Sequence, residues 1–137
     1  MDNLLLDTEE GDAKEVLQYA SKDGVLFAGT HLLIDLWEAT NLNSPKDIDK
    51  VLRDCAIVAG ATILHSHMHH FNPQGVSGVV VLAESHISIH TWPERGYAAL
   101  DIFVCGDCNP YLAIPILKDY FKPKNIQLSE NRRGVKA

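Results

Sequence analysis

The chain has 137 residues, 46% of them hydrophobic and 22% charged, with a net charge of −6. That is the balance of a single soluble globular domain, and the acidic excess excludes the clustered Lys and Arg footprint of a nucleic-acid binder. The one basic pair, Arg132-Arg133, is too small to reverse this.

No apolar run is long enough to span a bilayer. The N-terminus, Met1-Asp2-Asn3-Leu4-Leu5-Leu6-Asp7, lacks the basic and long apolar regions of a signal peptide. A cytoplasmic location is expected, and the three cysteines, an odd number, then read as free thiols. A chain this short has little room for a private catalytic cleft, so a site shared between two copies is expected.

Residues 1–24 form a polar, acidic N-terminal extension, with a short helix over Ala13 to Tyr19 as its one candidate element. The domain proper is expected over 25–137. Leu26 to Trp37 is β-rich and reads as a strand. Ser44-Pro45 then supplies an N-cap and a first-turn proline, with Asp47 at the capping-box position. Ile48, Val51, Leu52, Cys55 and Val58 follow at helical spacing, and Gly60 closes the helix.

Ala61 to Phe71 alternates like a strand, with His65, His67 and His69 on one face and Leu64, Ser66, Met68 and His70 on the other. Asn72-Pro73-Gln74-Gly75 is a turn. Val76 to Ala83 reads as a buried strand, and Ser85 to Trp92 alternates again, Ile87 and Ile89 opposite His86, Ser88 and His90. After the turn Pro93-Glu94-Arg95-Gly96, Tyr97 to Cys105 puts Ala98, Leu100, Ile102 and Val104 on one face and Ala99, Asp101, Phe103 and Cys105 on the other. Asn109-Pro110 caps a second helix carrying Leu112, Ile114, Ile116 and Leu117, which Pro115 is expected to bend. Asn125 to Ser129 is a short last strand. The expected fold is α+β: a two-layer sandwich of a mainly antiparallel sheet with two helices on one face, dimerising through or beside the sheet.

The chemistry concentrates in Glu84-Ser85-His86-Ile87-Ser88-Ile89-His90-Thr91-Trp92-Pro93-Glu94. By composition alone Ser85 is an ordinary strand serine. Its functional reading is attack of Oγ on the carbonyl carbon of Glu84, which needs a strained turn, a base and donors for the oxyanion. His90 is a candidate base, since imidazole is the side chain suited to proton transfer near neutrality; the alternative is an exposed strand histidine. Ser77, one strand earlier, is expected near Ser85 if the two strands pair.

Cys105 can donate a proton to a substrate carbanion. Cys105-Gly106-Asp107-Cys108 also has the C-x-x-C spacing of a thiol-redox site, without the surrounding tryptophan and proline of thioredoxins. His65, His67, His69 and His70 can be read as a metal site, but their division between two faces makes surface or core histidines the better reading. Phe71 and Glu94 stand at the two turns, where one can stack on a flat ring and the other accept hydrogen bonds from ribose hydroxyls.

These residues resemble the short prokaryotic S-adenosylmethionine decarboxylase proenzymes from about Thr30 to Arg133. The matching motifs are His31-Leu32-Leu33; Phe71-x-Pro73-x-Gly75-Val76-Ser77-Gly78-Val79-Val80-Val81; Glu84-Ser85-His86-x-x-Ile89-His90-Thr91-Trp92-Pro93-Glu94; and Gly96-Tyr97-Ala98-Ala99-x-Asp101-x-Phe103-x-Cys105-Gly106.

The resemblance implies self-cleavage between Glu84 and Ser85, giving a β chain of residues 1–84 and an α chain of residues 85–137, with Ser85 converted to a pyruvoyl group. It implies His90 as the processing base, Ser77 as a processing helper, Cys105 as the catalytic proton donor, and Phe71 and Glu94 as adenine-stacking and ribose-binding residues. The substrate amine would form a Schiff base with the pyruvoyl carbonyl, without pyridoxal phosphate or metal, in a homodimer with both sites at the interface. The product, decarboxylated S-adenosylmethionine, would feed spermidine synthesis. Related pyruvoyl enzymes with the same cleavage motif act on arginine or ornithine. The extension 1–24 and Cys108 depart from the family pattern.

Overall fold

The structure, a computed structural model, describes residues 20–22 and 24–136. The helix expected over Ala13 to Tyr19 lies outside the described residues. Two short strands, β1 (Ala20–Lys22) and β2 (Val25–Phe27), pair as a small hairpin. There follow β3 (Gly29–Trp37), α1 (Pro45–Ala59), β4 (Ile63–His70), β5 (Val76–Leu82), β6 (Ser85–Trp92), β7 (Tyr97–Cys105), α2 (Ile114–Phe121) and β8 (Asn125–Arg133). The main sheet has six strands in the order β4-β5-β6-β7-β3-β8, and every neighbouring pair is antiparallel.

The alternation read along each strand sorts the sheet into two faces. On one, Leu32, Ile34 and Leu36 of β3, Ile87 and Ile89 of β6, and Leu100 and Ile102 of β7 are buried. Ile48, Leu52 and Cys55 of α1 and Leu117 and Phe121 of α2 close over them to complete the core. Ser44 caps α1, its Oγ accepting from the Asp47 N–H at 3.2 Å, and Gly60 ends the helix in the left-handed region. The two-layer α+β sandwich expected from the sequence is the observed architecture. Among the described residues no helix lies over the other face, which shows His31, Leu33, Asp35 and Trp37 of β3 beside Tyr97, Asp101 and Cys105 of β7 and His86, Ser88, His90 and Trp92 of β6.

Four details differ from the sequence reading. The strand expected from Leu26 to Trp37 is broken at Ala28, whose N–H turns to Arg133 O. Val58 is 41% exposed; Ala56 and Ala59 fill the helix's buried face instead. Pro115 does not bend a long helix. Pro110–Ala113 is a separate 3-10 turn, and Pro115 lies in the first turn of α2, where its missing N–H has no partner to lose. Leu112, on that turn, is 47% exposed. Finally β8 continues to Arg133; among the described residues it is an edge strand paired with β3, and it tolerates the polar run Ser129 to Arg133 that hides its length.

Candidate active site

Ser85 opens β6 immediately after the two-residue turn Ala83-Glu84. Glu84 holds a φ of 59°, a left-handed conformation that costs a non-glycine residue roughly 1–3 kcal/mol. The candidate scissile bond therefore leaves a strained residue. Ser85 is 9% exposed. Its Oγ accepts from the Cys105 backbone N–H at 3.2 Å and lies 3.4 Å from Cys105 Sγ. The same thiol donates to Glu84 O at 3.6 Å. Hydroxyl, thiol and the carbonyl preceding the hydroxyl thus meet in one place, because β6 pairs with β7 and Cys105 is the last residue of β7. Gly29 permits that approach from the other side: a Cβ there would overlap Val104 O and stand 3.0 Å from Cys105 Cα.

Ser77 and His90 form a second group. The tight turn sets Leu82 opposite Ser85 and, counting back along the hairpin, Ser77 opposite His90. The expectation that Ser77 lies near Ser85 is corrected by this register. Ser77 Oγ is 2.8 Å from His90 Nδ1. With the proton on Nδ1 and donated to Ser77, His90 keeps a lone pair on Nε2, the state a proton acceptor requires. His90 is five residues along an extended strand from Ser85, roughly 16 Å, and the odd offset turns its side chain to the opposite face.

Phe71 and Glu94 belong with this second group. Phe71, 47% exposed, is held in the β4–β5 loop by its N–H to Gly75 O at 2.8 Å and lies edge-on to His69, ring centres 4.6 Å apart. Asn43 Oδ1 accepts from the Gly75 N–H at 2.8 Å and lies 3.0 Å from His70 Nε2, pinning the loop. Glu94 is exposed on the short turn Pro93–Arg95 that follows β6. A Cβ on Gly75 would be 3.3 Å from Thr91 O and 3.8 Å from Pro93 Cδ, so the two turns are neighbours. The sequence candidates therefore fall into two half-sites at opposite ends of β6: Glu84, Ser85 and Cys105 at one, Ser77, His90, Phe71 and Glu94 at the other.

Cys108 closes a turn on Cys105, its N–H reaching Cys105 O at 3.3 Å. Burial pushes its thiol up from the ordinary value, helped by Cys105 and Asp107. A redox nucleophile needs the opposite shift. His65, His67 and His69 lie exposed on the open face of β4 and His70 on its other face.

The sequence reading gave no role to a cluster beside Ser85. His31 Nε2 and His86 Nε2 stand 2.6 and 2.9 Å from the same oxygen, Asp101 Oδ2, and Ser88 Oγ donates to Oδ1. Burial alone would raise the Asp101 carboxyl, but the hydrogen bonds from Ser88, His31 and His86 outweigh it and hold it below its ordinary value. The signal was present in the strand alternation; what it lacked was the register that sets both His31 and His86 opposite Phe103.

The family model described as S-adenosylmethionine decarboxylase matches residues 30–134. The chain belongs to the S-adenosylmethionine decarboxylase family. Relatives named S-adenosylmethionine decarboxylase proenzyme include one from Methanococcus aeolicus, 49% identical over 109 residues, 77% of this chain and 93% of that one. Another, from Thermomicrobium roseum, is 40% identical over 109 residues, 78% and 94% of the two chains. The crystal structure of the adenosylmethionine decarboxylase from Aquifex aeolicus superposes with a TM-score of 0.72 at 37% identity, covering 80% of this chain and 92% of that one. Membership of this proenzyme family is the resemblance read from the motifs. No helix among the described residues is long and apolar enough to cross a membrane.

Proposed function

We propose that the chain cuts itself between Glu84 and Ser85 and then decarboxylates S-adenosylmethionine, with each site built from two copies of the chain. The observation that carries this reading is the meeting of Ser85 Oγ, Cys105 Sγ and the Glu84 carbonyl. Attack of Oγ on the Glu84 carbonyl carbon moves the acyl group from nitrogen to oxygen. The Cys105 thiol, already against Glu84 O, donates to the oxygen as negative charge develops on it. A base then takes the Cα proton of residue 85, and the ester is expelled. Water replaces the nitrogen of the resulting terminus, releasing ammonia.

A pyruvoyl group so formed at residue 85 would supply a carbonyl that condenses with the substrate amine and accepts the electron pair left when carbon dioxide departs. Cys105 is placed to return a proton to the substrate carbon. Phe71, half out of its loop, offers a ring face for adenine, and exposed Glu94 offers acceptors for ribose hydroxyls.

The base is the reason for the second copy. His90 cannot reach Ser85 of its own chain across roughly 16 Å of strand. The open face of the sheet carries exposed Leu33, Trp37 and Trp92, 44%, 38% and 40% accessible. Stacking two such faces about a two-fold axis lets the Ser77–His90 end of one copy meet the Ser85–Cys105 end of the other. The homodimer so formed has two sites, each with Phe71 and Glu94 from the same copy as His90.

The test is intact mass and turnover. Wild-type protein should resolve into residues 1–84 and 85–137, the second carrying a carbonyl that hydrazine traps, while Ser85→Ala stays whole. Labelled carbon dioxide should come from S-adenosylmethionine and not from arginine or ornithine assayed beside it. A wild-type chain that remains uncut, or release from either basic amino acid instead, would overturn the proposal or its substrate.

A further inference from the structure

The cluster around Asp101 spans three strands and both sides of the proposed cut. Arg133 Nη1 is 3.1 Å from His31 Nδ1. A guanidinium only donates, so His31 Nδ1 accepts and the ring proton sits on Nε2, facing Asp101 at 2.6 Å. The carboxylate gathers His31 from β3, His86 and Ser88 from β6, and stands on β7 itself. The rings are packed as well as bonded: His31 and His86 centre 5.5 and 6.1 Å from Phe103 and 5.9 Å from each other. Ligand atoms of His31, His86 and Asp101 lie within 4.8 Å of one another, which invites a metal reading. Arg133 opposes it, since a ligating imidazole turns its other nitrogen, as N–H, to an acceptor, and here that nitrogen faces a donor.

His86 is the residue bonded directly to Ser85. In the proposed cleavage the serine oxygen leaves with the Glu84 acyl group, so the bond from Cys105 N–H to Ser85 Oγ goes with it. The nearest side-chain anchor left to the new chain end is the His86–Asp101 contact at 2.9 Å. Strand ends without such a tie fray.

We infer that Asp101 is a positioning residue for the proposed reaction: through His86 it fixes the chain end that carries the reacting carbonyl, and through His31 it locks that fragment to residues 1–84. Arg133 sets the His31 tautomer that makes the lock. This rests on the cleavage proposed above. The network lies toward the Ser85 end of β6, away from Phe71 and Glu94, so its loss should lower kcat and leave KM alone. A donor of similar reach in place of His86 should restore kcat.

The experiment measures kcat and KM per hydrazine-titrated carbonyl for wild type, His86→Leu, His86→Gln, Arg133→Met and Arg133→Lys. His86→Leu should lose about tenfold or more in kcat with KM within about twofold. His86→Gln, whose amide N–H can replace Nε2–H, should stay within about threefold of wild type. Arg133→Met, on an exposed edge-strand residue, should cleave normally and lose about threefold in kcat, with Arg133→Lys between it and wild type. A His86→Leu protein with wild-type kcat, an equal loss in His86→Gln, or a loss confined to KM overturns the inference. If His86→Leu yields no cleaved protein, Arg133→Met decides: wild-type kcat there overturns it, a kcat loss at constant KM supports it. Wild type that never gains the carbonyl fails the cleavage proposal itself, an outcome separate from all of these.

Discussion

Gly29→Ala tests whether the spacing of two strands sets the site. Gly29 pairs with Cys105 across β3 and β7. An added Cβ would overlap Val104 O and lie 3.0 Å from both Val104 C and Cys105 Cα. These are backbone atoms in the middle of a sheet, so no side chain can swing aside. Reaching ordinary carbon contact of about 3.5–4.0 Å requires the strands to part by about 0.5–1 Å. Overpacking of this kind costs about 1–3 kcal/mol, and with backbone on both sides the upper part of that range applies. A loss of about 2–3 kcal/mol is roughly 30- to 150-fold in the folded-to-unfolded ratio, yet within the 5–15 kcal/mol that domains of this size hold.

The larger effect should fall on chemistry. A shift of that size stretches the contacts of 3.2 and 3.4 Å that hold Ser85 Oγ to Cys105 past hydrogen-bond range. Misplacement by about 1 Å costs on the order of a hundredfold in rate. Urea unfolding of an uncuttable Ser85→Ala background, with and without Gly29→Ala, measures the first term. The rate of appearance of the 85–137 fragment in the wild-type background measures the second. A Gly29→Ala protein that is destabilised but cuts itself at the wild-type rate would refute the claim that the β3–β7 spacing places Cys105 for Ser85.

The remaining predictions concern single contacts. Thr91 is 7% exposed; its Oγ1 donates to Leu42 O at 2.7 Å and accepts from the Val76 N–H at 2.8 Å. Thr91→Val leaves both buried groups unpaired and should cost about 1–3 kcal/mol, read as a lower urea midpoint at constant slope; an unchanged midpoint contradicts it. The Asp101 carboxyl is held below its ordinary value in the folded chain, so it contributes stability above the unfolded carboxylate range, about pH 4, that is lost as pH falls further. Asp101→Asn should therefore flatten the acid limb of a melting-temperature profile, and an identical limb would contradict the assignment. Cys108→Ser should leave cleavage and turnover within about twofold, since its half-buried thiol lies beside Gly60 at the end of α1 and the thiol against the Ser85 hydroxyl is that of Cys105; loss of activity would revive a thiol-redox role.

Much of the fold is readable from the residues because each element obeys a local rule. The Ser44 cap, the first-turn Pro45 and the closing Gly60 bound α1, and strict alternation in β6 and β7 sorts His86, Ser88 and His90 from Ile87 and Ile89. What escaped was relational. Ser77 was expected beside Ser85, although a two-residue turn at Ala83-Glu84 sends it to His90. Leu26 to Trp37 is one apolar run, and its break at Ala28 depends on Arg133, more than a hundred residues away. Pro115 reads as a helix bend only if the helix starts at Pro110. Asp101 of β7 draws His31 from β3 and His86 and Ser88 from β6, so no window of sequence contains the cluster.

The proposed site draws its serine and its base from different copies. Co-expression of differently tagged Ser85→Ala and His90→Ala chains, purified as the mixed dimer, tests it by intact mass. One site of that dimer lacks both groups, and the other pairs the intact Ser85 of the His90→Ala chain with the intact His90 of its partner. The His90→Ala chain, uncut when expressed alone, should be cut in the mixture while the Ser85→Ala chain stays whole. A mixed dimer in which both chains stay at full length would contradict it.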